Sequence, residues 1–120
     1  MPFLETVESF VTLVESGKTV EAMVHFYAEN ATMQENAAAP RVGKRALIKH
    51  EEDALASIAS LKATCVRPIF IAGDFVVIRW VFEIQDKKGK AVRFEELAHQ
   101  RWEGELMAEE RFFYDPAQVK

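Results

Sequence analysis

A chain of 120 residues with 49% hydrophobic side chains, nine Phe and two Trp is long enough for one core and too apolar to stay disordered. Its net charge of −4, with the Lys and Arg scattered, argues against nucleic acid as a partner. No apolar run approaches the ~20 residues of a membrane span, and the beginning, with Glu5 and Glu8 and no basic cluster, does not read as a signal peptide.

Residues 2–16 place Phe3, Val7, Phe10, Val11 and Val14 at helical spacing, and Gly17 closes that helix. Thr19 starts a second helix with Glu21 in its first turn and Val20, Met23, Val24 and Tyr27 as its apolar positions. The short link makes the two an antiparallel pair. A corner follows at Glu29-Asn30, then a strand at 31–35 with Ala31, Met33 and Glu35 on one face. Pro40 and Gly43 mark 36–43 as a loop, and a third helix is expected over 44–60 with Leu47, Ile48, Leu55, Ile58 and Leu61 buried.

The remainder reads as four strands. The first, 62–72, contains Pro68, which removes a ladder donor and predicts an edge strand or a bulge. Residues 75–85 put Val76, Ile78, Trp80, Phe82 and Ile84 on one face, with Val77, Arg79 and Val81 on the other. Strands at 90–102 and 105–114 complete the set, after the turns Asp86-Lys87-Lys88-Gly89 and Glu103-Gly104. The expected order is ααβαββββ in one domain spanning 1–120, an α+β arrangement.

A carboxylate at the end of an apolar row, as Glu35 is, is either a strand end reaching water or a proton-transfer group in a pocket. Cys65 is the lone cysteine and cannot close an internal disulfide, so a buried structural thiol and a reducing, cytoplasmic setting are expected. No pair of the three histidines has metal-ligand spacing, so no metal is expected, and no phosphate loop or nucleophile elbow calls for a cofactor.

Three stretches resemble the nuclear transport factor 2-like superfamily, in its SnoaL-like and steroid-isomerase-like branch. They are Phe26-Tyr27-Ala28-Glu29-Asn30-Ala31-Thr32, Gly43 leading into Leu47, and the close Glu110-Arg111-Phe112-Phe113-Tyr114-Asp115. The resemblance spans nearly the whole chain and includes element order. It implies a cone, with a curved, mostly antiparallel sheet wrapped around three helices and an apolar pocket at the open end. It also implies pairing of two copies through the convex sheet face, whose Val77, Arg79 and Val81 are too apolar for bare solvent. Members include isomerases, dehydratases, cyclases, epoxide hydrolases and non-catalytic binding modules, so the fold alone does not decide the reaction.

By the same resemblance Glu35 lines up with the general base of the isomerase branch. That branch stabilises its enolate with a tyrosine on the first helix and a protonated aspartic acid on a later strand. Here Val11 and Ala98 stand at those positions, which argues against a steroid isomerase. With Ala98 inward, strand parity turns Phe94, Glu96, Gln100 and Trp102 inward too, and Tyr114 inward brings Phe112 and Glu110. A parity off by one instead turns Glu95, Arg101, Glu109 and Arg111 inward, and in either case Arg79 or Arg101 is a candidate partner for the acids. His50 and Glu51 lie where relatives face the pocket, His50 as a second acid–base candidate, and Tyr27 is either a pocket tyrosine or a core aromatic. The expected lining is Tyr27, Met33, Glu51, Ile78, Trp80, Phe82, Glu96, Ala98, Gln100, Trp102, Glu110, Phe112 and Tyr114.

Three functions are compatible with this reading. One is a cofactor-free isomerase, cyclase or dehydratase acting on a small apolar carbonyl compound. The second is a non-catalytic carrier of a small ligand. The third is a dimerisation module whose pocket is filled by Phe70, Trp80 and Trp102.

Overall fold

The computed structural model describes residues 1–119. Helix α1, Leu4–Glu15, buries Val7, Phe10, Val11 and Val14, the one-sided stripe its spacing dictates. Its start is tied to the turn at Gly104-Glu105, because the Phe3 backbone N–H donates to Glu105 Oε1 at 3.0 Å. Its end is a left-handed Gly17 at φ +78°, where Lys18 N–H reaches Leu13 O and Gly17 N–H reaches Val14 O.

Helix α2 runs Thr19–Phe26, and strand β1, Tyr27–Glu35, begins at the next residue. The corner expected at Glu29-Asn30 is therefore inside the strand. It coincides with the irregular stretch where the register of β1 shifts between Tyr27 and Thr32. The expected loop 36–43 contains a two-residue strand, β2, Arg41–Val42, hydrogen-bonded to β1.

Helix α3 covers Lys44–Ala56, not 44–60. The Ser57 backbone N–H bonds back to Ala54 O, and β3, Ile58–Ala72, pairs with the next strand from Ile58 onward, where Asp86 is its partner. Ladder bonds to a neighbour replace the last helical turn, so Ile58 and Leu61 are strand residues. Three long strands follow: β4 (Phe75–Asp86), β5 (Ala91–Glu103) and β6 (Leu106–Phe113), with a 3-10 turn at Pro116–Val119.

The six strands form one open, curved sheet in the order β2-β1-β6-β5-β4-β3. Every pairing is antiparallel except β1 with β6. Strand β3 is an edge, and its register shifts between Val66 and Phe70, around Pro68. The three helices lie in the concave side, and the core joins Val7, Val11, Met23 and Leu47 to Val76, Ile78, Ala98 and Trp102. On the convex side Phe75, Leu97 and Phe113 remain exposed. Among the described residues no helix is long and apolar enough to cross a membrane.

Candidate active site

The open end of the cone holds a cavity of about 320 Å³. Its walls are apolar and aromatic, from Phe10 of α1 and Met23 of α2 to Trp80, Phe82, Phe94 and Phe112 of the sheet. Four carboxylates break this surface: Glu35 on β1, Glu51 on α3, Glu96 on β5 and Glu110 on β6. His50 also lines it, whereas among the described residues no Lys or Arg does.

Strand parity explains how acids from distant parts of the chain meet. Ala98, Gln100 and Trp102 are fully buried, so Glu96 and Phe94 on the same face also point inward. Gln100 pairs with Glu110 across β5 and β6, and Met33 with Glu110 across β1 and β6. Glu95, Arg101, Glu109 and Arg111 take the outer face. Arg79 bonds Glu95 at 3.0 Å, and Arg101 bonds Glu103 at 2.9 Å and lies 3.3 Å from Glu109. Arg79 and Arg101 are therefore not partners of the cavity acids. Arg41 on β2, within a stretch read as loop, lies 3.8 Å from the cavity acid Glu35.

Beneath the cavity lies a closed polar chain. The Trp102 indole Nε1–H donates to Gln100 Oε1 at 3.0 Å, and Gln100 Nε2 donates to Glu110 Oε2 at 2.7 Å. The Tyr27 hydroxyl donates to Glu110 Oε1. Glu110 is 4% exposed, and burial pushes its carboxyl up to about 7 although the bonds from Tyr27 and Gln100 pull the other way. Glu96 is pushed further, to about 8, by burial first and then by the charges of Glu110, Glu35 and Glu51. Burial also raises Glu51, against the pull of His50. The Tyr27 hydroxyl is raised well above its usual range by burial and by Glu110.

Of the expected lining, Tyr27, Met33, Glu51, Trp80, Phe82, Glu96, Glu110 and Phe112 border the cavity, together with Glu35 and His50. Ile78, Ala98, Gln100 and Trp102 face inward but lie in the core and do not border it. Tyr114 stands outside the lining, with its ring 6.0 Å from Phe94. Val11 is sealed in the core and His25 and His99 are exposed. Phe70 is exposed on β3, so it does not plug the cavity. Phe10, Val14, Leu55, Ile58 and Leu61 border the cavity unannounced, although each sits in an apolar stripe the sequence shows. Among the described residues no group of three His, Cys, Asp or Glu stands ready for a metal ion.

An open antiparallel-rich sheet curled around three helices, with an acid-studded apolar cavity at its mouth, defines a nuclear transport factor 2-like cone. Residues 7–110 match the SnoaL-like domain family, and the chain belongs to it. Among curated proteins none matches the sequence.

Solved structures share the fold. A candidate SnoaL-like polyketide cyclase from Mesorhizobium loti is 21% identical with a TM-score of 0.78, over 92% of this chain and 97% of that one. A protein of ketosteroid isomerase-like fold from Catenulispora acidiphila, in complex with trimethylamine, is 19% identical with a TM-score of 0.81, over 97% and 89%. An epoxide hydrolase of the LEH-like type from M. tuberculosis is 11% identical with a TM-score of 0.78, over 96% and 84%.

Proposed function

We propose that the protein is a cofactor-free proton-transfer enzyme, of isomerase, cyclase or dehydratase type, acting on a small apolar carbonyl compound. The observation that carries this reading is Glu96. It sits two residues before Ala98 on the same inward face of β5, in an apolar cavity that keeps its proton on up to a pH of about 8. It supplies the acidic donor that Ala98 does not. Glu35, ion-paired with Arg41, is the base. It takes a proton from the carbon beside the carbonyl while the Glu96 O–H holds the developing enolate oxygen, and the proton returns to a different carbon. His50 and Glu51 border the substrate and tune the field between these acids.

Cyclohex-3-enone tests this, because its conversion to cyclohex-2-enone needs only such a transfer and is visible in ultraviolet absorbance. Turnover in D2O with deuterium entering the product is expected. Glu35→Gln is expected to slow it by about 10²–10⁴-fold and Glu96→Gln by about 10²-fold, with the fold retained. An unchanged rate in Glu35→Gln rejects the assignment. A second reading, a carrier of small ligands, is favoured by one observation: while Glu110 is ionised the Tyr27, Gln100 and Trp102 donors are all committed to the protein. Under it, Glu35→Gln changes affinity only and no product forms on long incubation.

We further propose a homodimer through the convex face, supported by the exposed Phe75, Leu97 and Phe113 beside the Arg79–Glu95 pair. Light scattering at micromolar concentration is expected to give twice the chain mass, and Leu97→Asp to halve it; a monomeric mass for the native chain sinks the idea. A cytoplasmic setting fits the lone Cys65, whose thiol is buried and pushed up from its ordinary value.

A further inference from the structure

The polar chain under the cavity has a direction that its donor and acceptor inventory fixes. An indole N–H only donates, so the Gln100 group facing Trp102 is its carbonyl Oε1. The amide nitrogen of Gln100 must then face Glu110, and its N–H, which cannot reverse, donates to Glu110 Oε2. A proton on Glu110 is therefore favoured on Oε1, where the Tyr27 hydroxyl can turn round to accept it. When Oε1 carries a proton, the Tyr27 oxygen becomes the acceptor and its own hydrogen must turn elsewhere. Tyr27 borders the cavity, so this hydrogen can turn toward a ligand held there.

The pair thus has two positions. With Glu110 ionised, the Tyr27 hydroxyl is spent on Glu110 and shows the cavity an acceptor. With Glu110 protonated, Tyr27 shows the cavity a donor. We propose that Tyr27 and Glu110 form a proton relay in which Glu110 stores the proton and the Tyr27 hydroxyl delivers it to the ligand, with Gln100 and Trp102 as positioning residues. This rests on the reading of the cavity as a proton-transfer site and adds a donor that neither Glu35 nor Glu96 provides.

In the delivery step the Tyr27 O–H bond breaks toward a basic atom of the ligand, such as an enolate oxygen or carbon. The Glu110 O–H bond breaks at the same time, and its proton goes to the Tyr27 oxygen. The ligand is left neutral, Tyr27 is unchanged, and the negative charge rests on a Glu110 that again accepts from Tyr27 and Gln100. No phenolate is formed, which matters because burial and Glu110 oppose ionisation of Tyr27. The other titratable groups facing the pair are Glu35 on β1, His50 and Glu51 on α3, and Glu96 on β5, with Tyr114 just beyond. Helices α1 and α2 contribute only Phe10, Val14, Thr19 and Met23 to the lining, and β3 and β4 only apolar residues.

The test needs no substrate. The chain has only two tyrosines, so Tyr114→Phe protein labelled with 13C at the tyrosine Cζ gives a single resonance, that of Tyr27. Between pH 5 and 9 this resonance is expected to move in one step, much smaller than the change of a phenol losing its proton. The step is expected to vanish in Glu110→Gln, which keeps the shape of the side chain. In Gln100→Leu, which removes the fixed donor to Oε2, its midpoint is expected to rise by about one pH unit. A flat resonance in the Tyr114→Phe protein overturns the relay, and so does the same step persisting in Glu110→Gln. Loss of the relay with cyclohexenone turnover intact leaves Glu35 and Glu96 standing, whereas a working relay without turnover rejects only the enzyme reading.

Discussion

Urea denaturation at pH 5 and pH 8 is expected to find the protein less stable at the higher pH by on the order of a few kcal/mol, with Glu96 the largest single contributor. In the unfolded chain a glutamic acid ionises near its ordinary value of 4.5, while in the folded protein Glu96 holds its proton to about 8 and Glu110 to about 7. Across that window the unfolded state binds fewer protons than the folded one. Stability that is complete below the unfolded value is therefore lost as pH rises through the folded values. Glu51, also raised by burial, acts in the same direction. Glu8 and Glu95, held low by Arg67 and by Arg79, act in the opposite direction, but both pairs are on the surface and screened by solvent. Glu96→Gln removes the largest contributor. That variant is expected to be more stable than the native protein at pH 8 and to gain nothing at pH 5. Parallel pH profiles for the two proteins would falsify the account of Glu96 as the buried, protonated acid.

The second large effect concerns Trp102. Its side chain is fully buried and meets Phe10 edge-on at 6.1 Å and Phe26 at 6.4 Å. It is a contact of both α1 and α2 with β5, and its N–H begins the polar chain to Glu110. Trp102→Ala is expected to cost about 3–5 kcal/mol, since the cavity left behind cannot fully collapse between two helices and a sheet. For a domain of this size that corresponds to a drop in Tm of roughly 10–20 °C. Trp102→Phe keeps most of the packing but leaves Gln100 Oε1 buried without a donor, at about 1–3 kcal/mol. Calorimetry on the two variants separates the packing role from the hydrogen bond. Equal losses would show that the indole N–H carries the whole effect.

Much of the fold was legible because it follows from period. The apolar stripe Val7, Phe10, Val11 and Val14 and the alternation along β4 each admit one burial pattern. On β5 and β6 period left two inward sets one residue apart, and the burial of Ala98, Gln100 and Glu110 is what selects the set that carries Glu96. Where a boundary depends on partners far along the chain, period was no guide. Ile58 and Leu61 continue a helical stripe in sequence, but the β4 strand claims them. Arg41 sits among Pro and Gly signals of a loop, and only the pairing of Met33 with Arg41 reveals that it flanks Glu35. The closure of Glu110 by Tyr27, 83 residues away, leaves no mark in local spacing at all. The sequence nominated Glu35 as the acid to test, whereas depth in the cavity singles out Glu96 and Glu110.

Strand β6 is the last strand in chain order, but it lies in the middle of the sheet, between β1 and β5. Before it is laid down, β2 and β1 on one side and β5, β4 and β3 on the other share no sheet edge. The same eight residues carry Glu110, to which Tyr27 and Gln100 bond from the two sides. During synthesis, then, the chain cannot pass through a stage with the sheet assembled and the cavity floor missing. Insertion of residues 106–113 completes both at once, and a nascent chain that stalls short of them lacks both the strand that joins the two halves of the sheet and Glu110.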